Sequence, residues 1–252
     1  MVQNTFFAPE GEESLVCYVR RLRLFGERYS SHNDTKYPVL QVGPSPDYTA
    51  IKTWLKHCRS NHTECEVGEN FDLSNISLVD VNKRILVKYP PEAEYVTLSY
   101  VWGKTTAPHF DRNARLPENL PQTIDDAITA TRHLGFPYIW IDALCIDQTN
   151  HADKKHQISL MDRIYEAAIA TIVALDGQDA DSGLGGVGTG CTRIPQWLAQ
   201  FGPYEALSRC PDLGDESRLS VWSSRGWTFQ EEVLSRRCVF FTRHQVYYRC
   251  ES

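Results

Sequence analysis

The chain has 252 residues, 42% of them hydrophobic and 23% charged, with a formal net charge of −6. This is the composition of an ordinary globular protein and excludes disorder over most of the length. Charges of both signs are interspersed without long runs, so neither a nucleic-acid groove nor a polybasic membrane patch is expected, and small ligands or protein partners are.

No apolar stretch reaches the ~20 residues that cross a bilayer, so no membrane span is expected. The opening MVQNTFFAPEGEES carries acids where a secretory signal has basic residues and an apolar core. A cytoplasmic protein is expected, with its eight cysteines as thiols or ligands rather than disulfides.

Residues 1–44 offer a short strand at Leu15 to Val19, a basic patch RRLRLFGER and a polar stretch. Ser45-Pro46 supplies a helix start, after which Ile51, Trp54, Leu55 and Cys58 recur at helical spacing. At the end of this helix stands Cys58-x3-His62-x2-Cys65, with His57 beside Cys58. Structural zinc needs four ligands, and no fourth lies nearby in sequence, so a helix end with buried thiols is expected and no metal is assigned. ISLVDV and RILVKY, joined through Asn82-Lys83, form a β-hairpin beside a main sheet. Pro90-Pro91 then marks the expected boundary between a leader, residues 1–90, and a domain, residues 91–252.

Beyond it the order is regular. Tyr95 to Val101 reads as a strand ending in Trp102-Gly103-Lys104-Thr105. Pro121 opens a helix with Ile124, Ala127, Ile128, Thr131 and Leu134 on one face, and Gly135 stops it. Tyr138 to Asp142 is a buried strand delivering Asp142, Cys145, Asp147 and Gln148 at its carboxyl end, where open α/β sheets bind ligands. One helix is expected from Asp153 to Ala168, with Ile158, Met161, Ile164 and Tyr165 inward, and then a strand from Ala170 to Leu175. Such β-α-β-α-β alternation predicts an α/β fold with a parallel sheet and helices on both faces, preceded by the helix and hairpin of the leader.

Residues 176–222 break the pattern. Gly183-x-Gly185-x-x-Gly188 matches a dinucleotide fingerprint in spacing, yet no helical periodicity begins after it, so a mobile loop is expected. SSRGWTFQEE reads as a Ser-capped helix start, followed by a strand from Cys238 to Thr242. No closing signal follows RCES, and a continuation past residue 252 is expected.

YVTLSYVWG (95–103), LPQTIDDAITATRHLGFPYIWIDALCIDQ (120–148), DRIYEAAIATIVA (162–174) and SRGWTFQEEVLSRR (224–237) resemble, in order, the signatures of the fungal heterokaryon-incompatibility (HET) domain. WLKHC with His62 and Cys65, then SLVDV, is similar to the leader that often precedes it. The resemblance implies an effector in self/non-self recognition and programmed cell death, working with further domains or regulatory proteins. HET domains have been compared with TIR domains, which are flavodoxin-like, form homo-oligomers on activation and in several branches cleave NAD. In that comparison Ser99-Tyr100 is similar to the end of the first TIR strand and Ile141-Asp142 to the acid ending the second. Trp227-x-x-x-Glu231 is similar to the element carrying the catalytic glutamate, with Thr228 standing where TIR domains often have Cys.

The implied site gathers Ser99, Tyr100, Trp102, Asp142, Cys145, Gln148, Arg225, Trp227 and Glu231. NAD is the implied substrate, and no other cofactor is implied. Leaving nicotinamide passes through an oxocarbenium-like state, which a carboxylate at Glu231 stabilises while holding the ribose. Arg225 and helix N–H groups suit the pyrophosphate, and Trp102 or Trp227 a stacked ring. A non-catalytic homotypic assembly module remains the alternative, and a cysteine hydrolase using Cys145 with His109, His151 or His156 a more distant one. Ser99 lacks the Gly-x-Ser-x-Gly turn of a serine hydrolase.

Overall fold

The structure is a computed structural model that describes residues 23–25, 41–66, 71–104, 108, 110–201 and 204–252. The expected strand from Leu15 to Val19 and His109 lie outside these. The described residues divide into two compact units. One comprises Val42–Pro195 with Cys210–Ser252, and the other holds Arg23–Phe25 with Gln196–Arg209.

In the smaller unit, β1 (Arg23–Phe25) is one edge of a three-stranded antiparallel sheet completed by Tyr204–Leu207 at its centre and Leu198–Phe201.

The larger unit begins with α1 (Tyr48–Asn61). It starts two residues later than the Ser45-Pro46 pair predicts, because Asp47 Oδ1 accepts from the N–H groups of Thr49 and Ala50, both at 3.0 Å. Ile51, Leu55 and Cys58 form its buried stripe. β2 (Ser77–Asp80) and β3 (Ile85–Lys88) make the expected hairpin, and Asp80 Oδ1 fastens its turn by accepting from Asn82 and Lys83 N–H. This hairpin joins the main sheet directly, since β2 pairs antiparallel with Tyr138–Trp140. The structural division therefore does not fall at Pro90-Pro91.

β4 (Tyr95–Ser99) is buried at all five positions. A fully buried Val96 or Leu98 contributes roughly 1.5–3 kcal/mol of transfer free energy. α2 (Gln122–Leu134) ends as predicted at Gly135, whose φ of 89° is a left-handed stop that a side chain would strain. β5 (Tyr138–Trp140) follows, then the short α3 (Asp142–Cys145).

The single helix expected from Asp153 to Ala168 is two. Asn150 caps α4 (His151–Ile158), after which the Ser159 hydroxyl donates to the His156 carbonyl at 2.6 Å and Leu160 N–H to the Gln157 carbonyl. These bonds compete with the i to i−4 ladder and close the helix before α5 (Met161–Ala167) opens. Ile158, expected inside, is exposed.

β6 (Ala170–Ala174) returns to the sheet. β7 (Leu198–Phe201) and β8 (Tyr204–Leu207) belong to the smaller unit, and α6 (Leu213–Leu219) re-enters the larger one. A 3-10 turn at Trp222–Ser224 leads into α7 (Gly226–Leu234), whose N-cap is Arg225 rather than a serine. β9 (Arg237–Phe241) and β10 (Val246–Cys250) end the sheet as a hairpin, of which the sequence pattern predicts only the first strand.

The seven-stranded order is β10-β9-β6-β4-β5-β2-β3. Only β9, β6, β4 and β5 run parallel, so the sheet is mixed rather than wholly parallel, with antiparallel hairpins at both edges. From β4 the chain steps one way to β5, then crosses back past β4 to β6 and on to β9. Right-handed crossovers in opposite directions put their helices on opposite faces. Contacts agree: α1 packs on α2, and α5 on α7. Tyr95, Thr97 and Ser99 face the second pair, as the bonds Tyr95 Oη to the Ile164 carbonyl and Ser99 to Glu231 record.

The glycine segment after β6 is neither a mobile loop nor a phosphate cradle. Gly183 N–H donates to Thr123 Oγ1 at 3.0 Å and Leu184 N–H to Asp126 Oδ2 at 2.8 Å, with Leu184 buried. A hydroxyl and a carboxylate already hold the two amides that a phosphate would take.

Candidate active site

The carboxyl ends of parallel strands converge where the strand order reverses at β4, the position at which α/β sheets bind ligands. β4 ends in Ser99, with Tyr100 directly after it, β5 leads to Asp142, and α7 brings Glu231 down onto Ser99. The Ser99 hydroxyl donates a short hydrogen bond to Glu231 Oε2 and accepts one from Trp222 Nε1 at 2.8 Å. All three side chains are buried. Tyr165, whose hydroxyl donates to the Leu98 carbonyl at 3.2 Å, also lies against the Glu231 carboxylate.

A second carboxylate stands beside the first. Asp142 accepts from Trp102 Nε1 at 2.8 Å and from Ala143 N–H at 2.7 Å. The Trp102 ring stacks on Tyr100, at 6.4 Å between centroids. Arg225 donates to the Tyr100 carbonyl at 3.3 Å, and its positive charge reaches both acids.

Burial dominates the electrostatics. It pushes Glu231 up to about 8, with the Asp142 charge acting the same way, while the Ser99 and Tyr165 hydrogen bonds and Arg225 oppose. Burial also raises Asp142 to about 6, against the pull of Ala143 N–H, Trp102 and Arg225. Two neighbouring acids with raised and unequal affinities for a proton are a pattern found at catalytic sites.

Of the residues singled out in the sequence, Ser99, Tyr100, Trp102, Asp142, Arg225 and Glu231 come together. Gln148 lies at the rim, its amide donating to the Asp142 carbonyl at 3.4 Å. Cys145 does not join: its Sγ accepts from Ile141 N–H at 3.3 Å, and burial pushes the thiol up to about 12, the reverse of what a nucleophile needs. Asp147 turns to its own loop, accepting from Thr149. Trp227 lies on α7 one turn before Glu231 and is largely exposed.

Sequence reading missed Trp222 and Tyr165. In the sequence Tyr165 reads only as one apolar position of a helix, and Trp222 stands at the end of a segment without periodicity. Arg112 was missed too. It donates to the carbonyls of Leu144 and Cys145, both at 2.8 Å, and so holds the turn that follows Asp142.

Glu231 is 8% exposed. Two open clefts lie elsewhere: one of about 450 Å³ between α1 and α2, lined by Lys52, Lys56 and Arg59, and one of about 290 Å³ beside Arg112 and Asp153.

No solved structure matches this chain. Among curated proteins it is similar to Heterokaryon incompatibility protein 6, OR allele, of Neurospora crassa, 29% identical over 167 residues, covering 61% of this chain and 23% of that protein. It is also similar to Vegetative incompatibility protein HET-E-1 of Podospora anserina, 27% identical over 117 residues, covering 44% of this chain and 7% of that protein. The chain thus spans less than a quarter of the length of either relative. Residues 95–231 match the family described as Heterokaryon incompatibility protein (HET), a span that runs from the first residue of β4 to the buried carboxylate of α7, and the chain belongs to that family.

Proposed function

We propose that this chain is an effector domain of a fungal incompatibility system that cleaves the nicotinamide–ribose bond of NAD, with Glu231 as the key carboxylate. The observation that carries the reading is the convergence of Ser99, Asp142, Arg225 and Glu231 at the strand-order reversal. Within the parallel strands the order is second, first, third, fourth, as in flavodoxin-like folds, which supports the TIR-like comparison.

The unliganded carboxyl of Glu231 holds its proton near neutral pH because it is buried. A nicotinamide ring brings a fixed positive charge, which favours the anion. As the glycosidic bond breaks, the bonding electrons leave with the now neutral nicotinamide, and the positive charge passes to the ribose beside Glu231. Water then adds to the anomeric carbon, giving ADP-ribose and a proton. Ser99 orients the carboxylate, while Arg225 and the N–H groups opening α7 face the pyrophosphate. Since Glu231 is nearly closed off, α7 or the segment carrying Trp102 shifts to admit the substrate. Clustering of chains in the cytoplasm through partner regions is the expected trigger.

The test is nicotinamide release from NAD by the purified chain, dilute and artificially clustered. Loss in Glu231→Gln but not Glu232→Gln supports the reading, and no release or NAD binding in either state refutes it. One observation favours a second reading, homotypic assembly without catalysis. Trp227, Phe229 and Val233 of α7 are all more than half exposed, an apolar set suited to another copy. That reading expects Glu231→Gln to keep cell killing and Phe229→Glu to abolish it.

A further inference from the structure

The three potential ligands at the end of α1 gain a fourth from the far end of the described chain. Cys250, the last residue of β10, brings Sγ to 3.4 Å from His62 Nδ1, across 188 residues of sequence. The donor atoms of Cys58, His62, Cys65 and Cys250 all lie within 4.8 Å of one another. Tetrahedral zinc, with bonds of about 2.3 Å to sulfur and 2.0–2.1 Å to nitrogen, separates its donors by roughly 3.5–3.8 Å. The cluster therefore needs only a small contraction.

The local fold explains the convergence. Cys58 lies one turn from the end of α1, and His62 is its C-cap, with its N–H bonded to the Cys58 carbonyl at 3.0 Å. A 3-10 turn over Thr63–Cys65 then swings Cys65 back, its N–H bonded to the His62 carbonyl at 3.2 Å. His57 is not one of the four: its ring packs edge-on against His62, with centroids 5.6 Å apart, and it pairs with Asn61. β10 packs against α1 and supplies the fourth donor.

The surroundings ask for negative charge at this point. Arg237 is buried, and among the described residues its hydrogen-bond partners are Cys58 Sγ at 3.2 Å and the carbonyls of Cys65 and Ile169, with no carboxylate. The buried Tyr248 hydroxyl lies against the Cys58 thiol. A zinc ion held by three thiolates and a neutral imidazole carries a net charge of −1, which Arg237 neutralises and toward which the Tyr248 hydroxyl can donate. Four neutral ligands would leave the guanidinium buried without a counter-charge.

We propose that Cys58, His62, Cys65 and Cys250 bind one zinc ion in a closed, structural, tetrahedral site that ties α1 to β10. Binding displaces up to three thiol protons to solvent and forms three zinc–sulfur bonds and one zinc–nitrogen bond. With no position left for water, the site braces the sheet and performs no chemistry.

The experiment measures metal in the purified full chain by plasma mass spectrometry after removal of any affinity tag. About one zinc per chain is expected, falling at least fivefold in Cys65→Ser and in Cys250→Ser but not in Cys145→Ser, whose thiol is elsewhere. Should the serine variants fail to fold, the unmutated chain still decides. Cobalt exchanged into it is expected to show intense thiolate-to-metal charge-transfer absorption. Stripping the zinc with a mercurial thiol reagent and removing the reagent is expected to lower Tm by roughly 10 °C, with recovery when zinc returns. Less than about a tenth of a zinc per chain after incubation with zinc, a disulfide among these cysteines in the folded protein, or full zinc in Cys250→Ser would overturn the proposal.

Discussion

Glu231→Gln separates electrostatics from packing at the candidate site. In the folded chain the Glu231 carboxyl titrates at about 8, whereas its ordinary value is 4.5. Between those values the folded protein keeps a proton that the unfolded chain releases. Stability from this group is therefore fully present below the ordinary pKa and is lost as the pH rises toward about 8. At about 1.4 kcal/mol per pH decade, raising the pH from about 5 to about 8 costs the unmutated protein on the order of 3 kcal/mol through Glu231 alone. A glutamine has no proton to lose and keeps an oxygen to accept from Ser99. Glu231→Gln should match the unmutated chain within about 1 kcal/mol near pH 5 and exceed it by roughly 3 kcal/mol near pH 8, as urea unfolding at both pH values would read. Glu232→Gln removes a partner of Arg249 on the surface side of the same helix and should leave the pH course of the unmutated chain in place. Parallel pH courses for Glu231→Gln and the unmutated protein would refute the assignment of a buried, proton-holding carboxyl.

Other changes test single contacts. Trp222→Phe keeps an aromatic ring against Phe240 but removes the donor to Ser99 Oγ; equilibrium unfolding should show a loss of about 1–2 kcal/mol. Trp102→Phe takes one hydrogen bond from Asp142 and should raise its carboxyl above about 6, as a carbon-detected NMR titration of that group would show. Gly185→Ala places a methyl group against the Thr242 carbonyl oxygen, where backbone cannot yield cheaply, and should lower stability by about 1–3 kcal/mol with a matching fall in Tm.

What the sequence determined by itself is the local geometry. Periodicity located α2 and its glycine stop, and the run of β-branched and aromatic residues located β4, β5 and β6, because these signals depend on near neighbours in the chain. The order of signatures also delivered Ser99, Asp142, Arg225 and Glu231 as a set. Helix ends were less legible. Asp47 displaced Ser45 as a cap, and Ser159 broke one expected helix into two, because a single side-chain hydrogen bond decides such a boundary.

Only the tertiary structure decided which groups meet. Trp222 reaches Ser99 across 123 residues and Cys250 reaches His62 across 188, and no local pattern encodes contacts of that range. The protonation state of Glu231 likewise belongs to the fold. An isolated Glu is an ordinary acid, and only its burial, helped by the nearby Asp142 charge and against the pull of the Ser99 and Tyr165 hydrogen bonds, makes it hold a proton near neutral pH.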